Sequence, residues 1–229
     1  MPGYGEFCPV AKAMDVLDER WTLLVVRELL LGSKHFNELR RGNPKMSPAL
    51  LSRRLRSLER AGILLREVDD TGRTSYRLTE AGHELSSVVE ALGAWGMRWI
   101  PDLGEEDLDP HLLLWDMRRT IPLHTWPPDR TVLALEFTDL DGKAARWWLM
   151  VHRAEAQLCD YDPGFEVAAT LRTTLRTLTE LWRGDRTWPA ALRERTVEIN
   201  ATAPVQRAVP TWIGSSSFAK IPRVDQGRA

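Results

Sequence analysis

The chain has 229 residues, which at about 100 to 200 residues per domain leaves room for one large domain or two small ones. Its composition, 43% hydrophobic and 28% charged, is that of a globular protein, and no apolar run approaches the ~18 residues of a membrane span. The opening MPGYGEFCPV lacks the basic and apolar segments of a secretion signal, and two cysteines provide no disulfide framework, so a reducing cytoplasm is the expected setting.

The net charge of −1 says little until it is mapped. Residues 34–77 carry eleven Lys or Arg against five Asp or Glu, a net of +6. From Pro101 onward, sixteen basic and nineteen acidic residues give −3. A basic block inside a near-neutral chain is the footprint of a nucleic-acid-binding module joined to something else.

In chain order, Pro9 suits the first position of a helix, with Cys8 at its cap and Val10, Ala13, Met14 and Leu17 recurring at helical spacing. A second helix is predicted over residues 20–32, apolar nearly all round and therefore central, with Gly32 as its stop. A third, over 34–42, turns Phe36 and Leu39 inward and is broken by Asn43 and Pro44. The fourth is SPALLSRRLRSLERAG, residues 47–62, with Ser47 as cap and Pro48 in first position. At about 100° per residue, Leu51, Leu55 and Leu58 share one face of it. Ala49, Arg53, Arg56 and Arg60 share the opposite face, and Arg54 lies on the flank beside the leucines. A solvated face normally mixes both signs, and Glu59 is the only acid in this stretch. Such a face points to an anionic partner.

After Gly62 the hydrophobic period falls to two. ILLREV, DDTGR and TSYRLT read as strand, turn and strand. Thr79 then caps a helix of about 22 residues, with Leu85, Val88, Val89, Leu92, Trp95, Gly96 and Trp99 on its apolar stripe. The acidic PDLGEEDLDP, residues 101–110, reads as a linker. Beyond it, HLLLWDMRRTI is a helix candidate. TVLALEFT, ARWWLMVH and AEAQLCDYD suggest three antiparallel strands, with Cys159 in the core. Residues 169–184 read as one amphipathic helix striped by Leu171, Leu175, Leu178 and Trp182, and VEINA as a last strand. The tail from Pro210 is short on regular pattern, and its last few residues are expected to be disordered.

Three helices, a basic fourth and a strand–turn–strand describe a winged helix-turn-helix, in which the basic helix enters the major groove and the hairpin wing reaches a neighbouring groove or the backbone. Residues 8–99 resemble the HxlR family of bacterial winged-helix regulators, relatives of the MarR type. The matching pieces are CPV, RWTLLVVRELLLGSKHFNELRR, MSPALLSRRLRSLERAGIL and YRLTEAG. The resemblance implies a homodimer built from the first and last helices of the domain, acting on double-stranded operator DNA with two half-sites. The stripe ending in Trp95 and Trp99 serves such a dimer or packs on the second domain.

On the basic helix, Ser47, Ala49, Ser52 and Arg53 occupy the N-terminal half that enters the groove. Arg53 is the candidate for base readout, since Arg pairs bidentately with guanine. Arg56, Arg60 and Lys45 are candidate phosphate clamps. Arg73 lies near the wing tip, beside Asp69 and Asp70, whose charge opposes phosphate. Some members of the family sense oxidants through a cysteine near this CPV, which extends a redox reading to Cys8. The alternative there is a small buried apolar residue.

The second half shows no metal-ligand spacing, no phosphate-cradling glycine loop and no catalytic Ser–His–Asp context. His111, His124 and His152 are scattered. No enzyme activity, metal or cofactor is expected. DPGFEVAATLRTTLRTLTELWRGDRTWPAALRERTVEINA followed by VPTWIGSSSFA resembles sterol-carrier-protein-like domains, mainly over residues 160–219. That resemblance implies an α+β layer with an apolar cavity for a hydrophobic ligand. Nine of the ten tryptophans lie from Trp95 onward. Trp115, Trp126, Trp147, Trp148, Trp182 and Trp212 are candidate cavity walls, and they suit a plain core equally. Strand alternation lets only one of Trp147 and Trp148 face inward.

The expected fold class is α+β. A winged helix-turn-helix for DNA binding and dimerisation spans residues 1–100, a linker 101–110, and a sterol-carrier-like, effector-binding domain 111–229. The expected function is a cytoplasmic, dimeric transcriptional regulator. The alternatives are a redox-switched regulator working through Cys8, and a lipid carrier whose wing domain only dimerises.

Overall fold

The computed structural model describes residues 4–100 and 102–224, and the chain falls into two units, residues 1–95 and 96–229. The expectation for the last few residues of the tail lies outside the described residues.

In the first unit, α1 (Pro9–Leu17) starts at the proline whose fixed φ suits a first turn, and it buries none of its residues. α2 (Thr22–Leu30) is shorter than the predicted 20–32. Trp21 stands in the left-handed region at φ +80°, and Gly32 at φ +90° closes the far end. α2 also departs from its expected all-round burial, because Leu24 is exposed while Thr22 and Glu28 are buried. A buried carboxylate needs partners. Arg27 Nη2 donates to Glu28 Oε1 at 2.9 Å and to Gly42 O at 3.1 Å, and Ser33 Oγ donates to Glu28 Oε2 at 3.4 Å. Position 42 is a glycine because a Cβ there would run into the Glu28 carboxylate.

α3 (Phe36–Arg41) buries Leu39 and half-buries Phe36. α4 (Pro48–Arg60) is followed by β1 (Leu64–Val68) and β2 (Thr74–Leu78), an antiparallel hairpin in register from Leu64↔Leu78 to Val68↔Thr74. Leu51, Leu55 and Leu58 of α4 join Val25, Val26 and Leu64 in a single core. α5 (Glu80–Trp99), whose last four residues count with the second unit, is capped by Thr79, whose Oγ1 accepts from Gly82 N at 3.2 Å and donates to Gly62 O at 2.7 Å.

In the second unit, α6 (Pro110–Thr120) is capped by Asp109, whose carboxylate accepts from His111 N and Leu112 N at 2.9 and 3.1 Å. The strands are β3 (Thr131–Phe137), β4 (Arg146–His152), β5 (Glu155–Cys159), β6 (Ala169–Thr173) and β7 (Val197–Asn200). They form one sheet in the order β5-β4-β3-β6-β7, with β6 parallel to β3 and the other pairs antiparallel. α7 (Leu175–Arg183), α8 (Trp188–Arg193) and α9 (Ala203–Ile213) complete the unit.

Three expectations are corrected here. Residues 169–184 are not one helix. Ala169, Leu171 and Thr173 are buried at period two on β6, where β-branched threonines favour a strand. The helix starts only after Thr174, whose Oγ1 accepts from Thr177 N at 3.1 Å. Pro210 does not open an irregular tail but lies inside α9, near its C-terminal end. Cys159 is on a strand, as expected, yet half-buried and outside the core, because alternation turns Leu158 inward and Cys159 to the other face.

Candidate nucleic-acid interface

The interface candidate starts with the Ser47 cap, whose Oγ accepts from Leu50 N at 3.3 Å and fixes where α4 begins. The buried leucines then fix which way α4 faces. Ser47, Ala49, Arg53, Arg56 and Arg60 are all exposed, Ser52 is half-buried, and Lys45 is exposed in the turn before the helix. Ala49, Arg53, Arg56 and Arg60 recur at i, i+4, i+7 and i+11, so one open face carries three guanidiniums. Arg60 Nε donates to Arg56 O at 3.3 Å, which lays its side chain back along the helix.

Arg54 does something different. It is 8% exposed, its Nε donates to Arg20 O at 3.0 Å, and its guanidinium ion-pairs with Glu19. It ties α4 to the turn between α1 and α2, just ahead of the left-handed Trp21. Its place on the flank of the leucine stripe was readable in sequence, but its partners 34 residues away were not. We expect Arg54→Ala to cost about 2 kcal/mol, the scale of a charged hydrogen bond lost from a buried partner. Urea unfolding reads that loss, and the salt dependence of DNA binding should stay as in the wild type.

The hairpin is braced from below: Tyr76 N donates to Lys34 O at 2.8 Å, and His35 Nδ1 lies 3.0 Å from Thr74 O. Across the strands, Arg77 Nη2 meets Glu67 Oε1 at 2.9 Å. Arg73 is exposed at the tip. The neighbouring Asp69 builds the turn, accepting on Oδ1 from Thr71 Oγ1 at 2.6 Å and from the backbone N–H groups of Thr71 and Arg73 at 2.9 Å each. The Thr71 hydroxyl, followed by these N–H groups, holds the Asp69 carboxyl below the usual carboxylate range. Sequence reasoning saw only an opposing charge beside Arg73 and missed this shaping role.

Cys8 is half-buried at the start of α1. The backbone N–H groups of Ala11, then Val10, hold its thiol below the ordinary cysteine value. Cys159 is the opposite case, since burial, then the Asp160 charge, pushes its thiol up.

In the second unit, Trp115, Trp126, Trp147, Trp182 and Trp212 are all buried. Trp126 and Trp212 stack with centroids 5.0 Å apart, and Trp126 Nε1 donates to Trp212 O at 2.8 Å. Trp148 stands apart from them on the opposite face of the sheet. Among the described residues, no group of three His, Cys, Asp or Glu could hold a metal ion, and no helix is long and apolar enough to cross a membrane.

The sequence profile of the HxlR-like helix-turn-helix family matches residues 16–103. The HTH-type transcriptional regulator YvaP of Bacillus subtilis is 38% identical over 98 residues, covering 42% of this chain and 91% of that protein. YdeP of the same organism is 35% identical over 96 residues, 41% of this chain and 75% of that protein. Among solved structures, the reduced form of the transcriptional regulator YodB from B. subtilis is 33% identical, covers 40% of this chain and 92% of that one, and gives a TM-score of 0.36.

Proposed function

The chain belongs to the family of HxlR-like helix-turn-helix transcriptional regulators through residues 16–103, and from that premise we propose that it binds operator DNA in the cytoplasm as a homodimer. The observation that carries this reading is the open face of α4, where Arg53, Arg56 and Arg60 project opposite a buried leucine stripe. Arg53, near the N-terminal end with Ser47, Ala49 and Ser52, reads base edges. Arg56, Arg60 and Lys45 neutralise phosphates, and Arg73 reaches the neighbouring groove from the wing. A labelled duplex from upstream of the protein's own gene tests this over a salt series. Binding should weaken steeply with salt and exceed binding to a scrambled duplex of the same length. Equal affinity for both duplexes would count against a regulator.

Dimerisation is assigned to α1 and α5. Val10 is 69% exposed on α1, and Leu92 and Trp95 are 50% and 55% exposed on α5. Large apolar side chains left open on both helices support an interaction surface there. In this layout residues 1–100 bind DNA and dimerise, 101–110 link, and 111–229 form a sterol-carrier-like domain that takes a hydrophobic effector. The tryptophan-rich interior of that domain supports the assignment. Native mass spectrometry of the purified protein checks it by looking for a co-purifying hydrophobic molecule. Finding one in a chain that fails to bind DNA would favour a lipid carrier.

A redox switch at Cys8 is a second reading, favoured by the depressed thiol. A thiolate at a helix start is stabilised by the N–H groups there and is the reactive form. The expected result is that oxidant weakens DNA binding of the wild type and leaves Cys8→Ser unaffected. Equal oxidant sensitivity in both proteins would remove Cys8 from the mechanism.

A further inference from the structure

The outer edge of the wing is closed in part by a side chain. In an antiparallel strand the N–H and C=O of one residue point to the same side, and the side alternates along the strand. Arg73 O accepts from Asp69 N at 3.1 Å, so position 73 faces β1, and positions 74 and 76 turn their main-chain groups to the outer edge of β2. Both meet the turn ahead of α3. Tyr76 N donates to Lys34 O at 2.8 Å, main chain to main chain. Thr74 O lies 3.0 Å from Nδ1 of the half-buried His35. That turn is itself fixed to α3, because Glu38 Oε2 accepts from Lys34 N at 2.8 Å and from His35 N at 3.0 Å.

A carbonyl oxygen only accepts, so the imidazole carries a hydrogen on Nδ1 and donates it to Thr74 O. The Lys34 carbonyl is a main-chain group that any residue supplies. The His35 contact depends on its side chain, and it falls on the residue next to Arg73. A two-stranded hairpin has little stability of its own. If Tyr76 were the last anchor on this edge, Arg73 would stand three residues beyond it, about 10 Å of strand. His35 shortens that overhang to one residue. We infer that His35 is the positioning residue of the wing: its Nδ1–H holds Thr74 against the turn ahead of α3 and so sets where Arg73 meets the groove next to the one that α4 enters. The DNA contact is that of Arg73, and His35 acts through it. This inference rests on the DNA-binding reading of α4 and the wing.

Two variants keep a good cap residue at the start of α3 and differ in reach. His35→Asn retains an N–H donor where Nδ1 stood, and His35→Ser ends one atom short of it. Each is combined with Arg73→Ala and, separately, with Arg56→Ala in the full chain. Affinity is titrated on the duplex that the wild type enriches from a random library. Arg73→Ala should weaken binding about tenfold in the wild type and in His35→Asn, and by about twofold or less in His35→Ser, whose wing no longer delivers the arginine. Arg56→Ala should cost the same factor in all three backgrounds, which a general loss of the fold would not give. An Arg73→Ala effect equal in His35→Ser and wild type overturns the inference, and so does an Arg73→Ala without effect in the wild type. The ring itself is read without DNA, from the imidazole nitrogen chemical shifts of the isotope-labelled wild type. A hydrogen on Nδ1 of His35 is expected, and a bare Nδ1 overturns the anchor. A wild type that enriches no duplex removes the DNA-binding reading instead, and the ring spectrum still decides the anchor.

Discussion

Arg53→Ala/Arg56→Ala is expected to lower operator affinity by about 100-fold, from one lost base contact and one lost phosphate contact at about 1–3 kcal/mol for the former. The two side chains stand one turn apart on the open face of α4, and no ion pair within the described residues holds either of them. Their removal costs the fold little, because the helix is anchored by Leu51, Leu55 and Leu58 behind them. The single variants should separate the two roles. Arg56→Ala should weaken binding to all duplexes alike and reduce the steepness of the salt dependence by about one released counterion. Arg53→Ala should also relax the preference for operator over scrambled DNA. Anisotropy titrations at several salt concentrations resolve both effects.

Trp126→Ala is expected to destabilise the second unit by about 4 kcal/mol, within the range for a buried aromatic truncated to alanine. The indole loses its stack on Trp212 and its hydrogen bond to the Trp212 carbonyl, and that carbonyl is left in an apolar setting. A chain of two units unfolds in more than one step when each has its own core. The calorimetric trace should therefore show one transition moved down by many degrees and the other in place. A shift of both together would mean that the cores unfold as one.

The parts of the fold that were legible in the sequence are those with a local cause. Ser47-Pro48 fixes the start of α4, the 3.6-residue leucine repeat fixes its buried face, and DDTGR between period-two segments fixes the hairpin. The strands of TVLALEFT and ARWWLMVH follow from alternation, which turns one of Trp147 and Trp148 inward without saying which; the structure turns Trp147 in. The errors came where a pattern was locally degenerate. Leu171 and Leu175 are four apart and satisfy a helical stripe, yet the chain leaves its strand between them, at Thr174. Pro210 reads as a helix breaker and sits within α9.

The candidate site was legible to the same extent. Exposed arginines on a helix are a matter of wheel position, so α4 could be read directly. The Arg54 tie to Glu19 and Arg20, and the Glu28 carboxylate lodged against Gly42, rest on contacts between distant segments. Sequence spacing carries no trace of them. The row of Arg146, Glu136, Arg172 and Glu198 across β4, β3, β6 and β7 likewise appears only once the register is known, because β6 joins the sheet parallel to β3 after a long excursion.

The central claim is that the open face of α4 reads DNA sequence for a two-fold protein, and selection from a random duplex library tests it whatever the operator sequence turns out to be. The account predicts that repeated rounds with the full-length protein enrich two half-sites related by a dyad, with centres about 10 bp apart or a multiple of that. It also predicts that Arg53→Ala/Arg56→Ala enriches nothing. A wild-type pool that stays random, or the same motif enriched by the double variant, would contradict it.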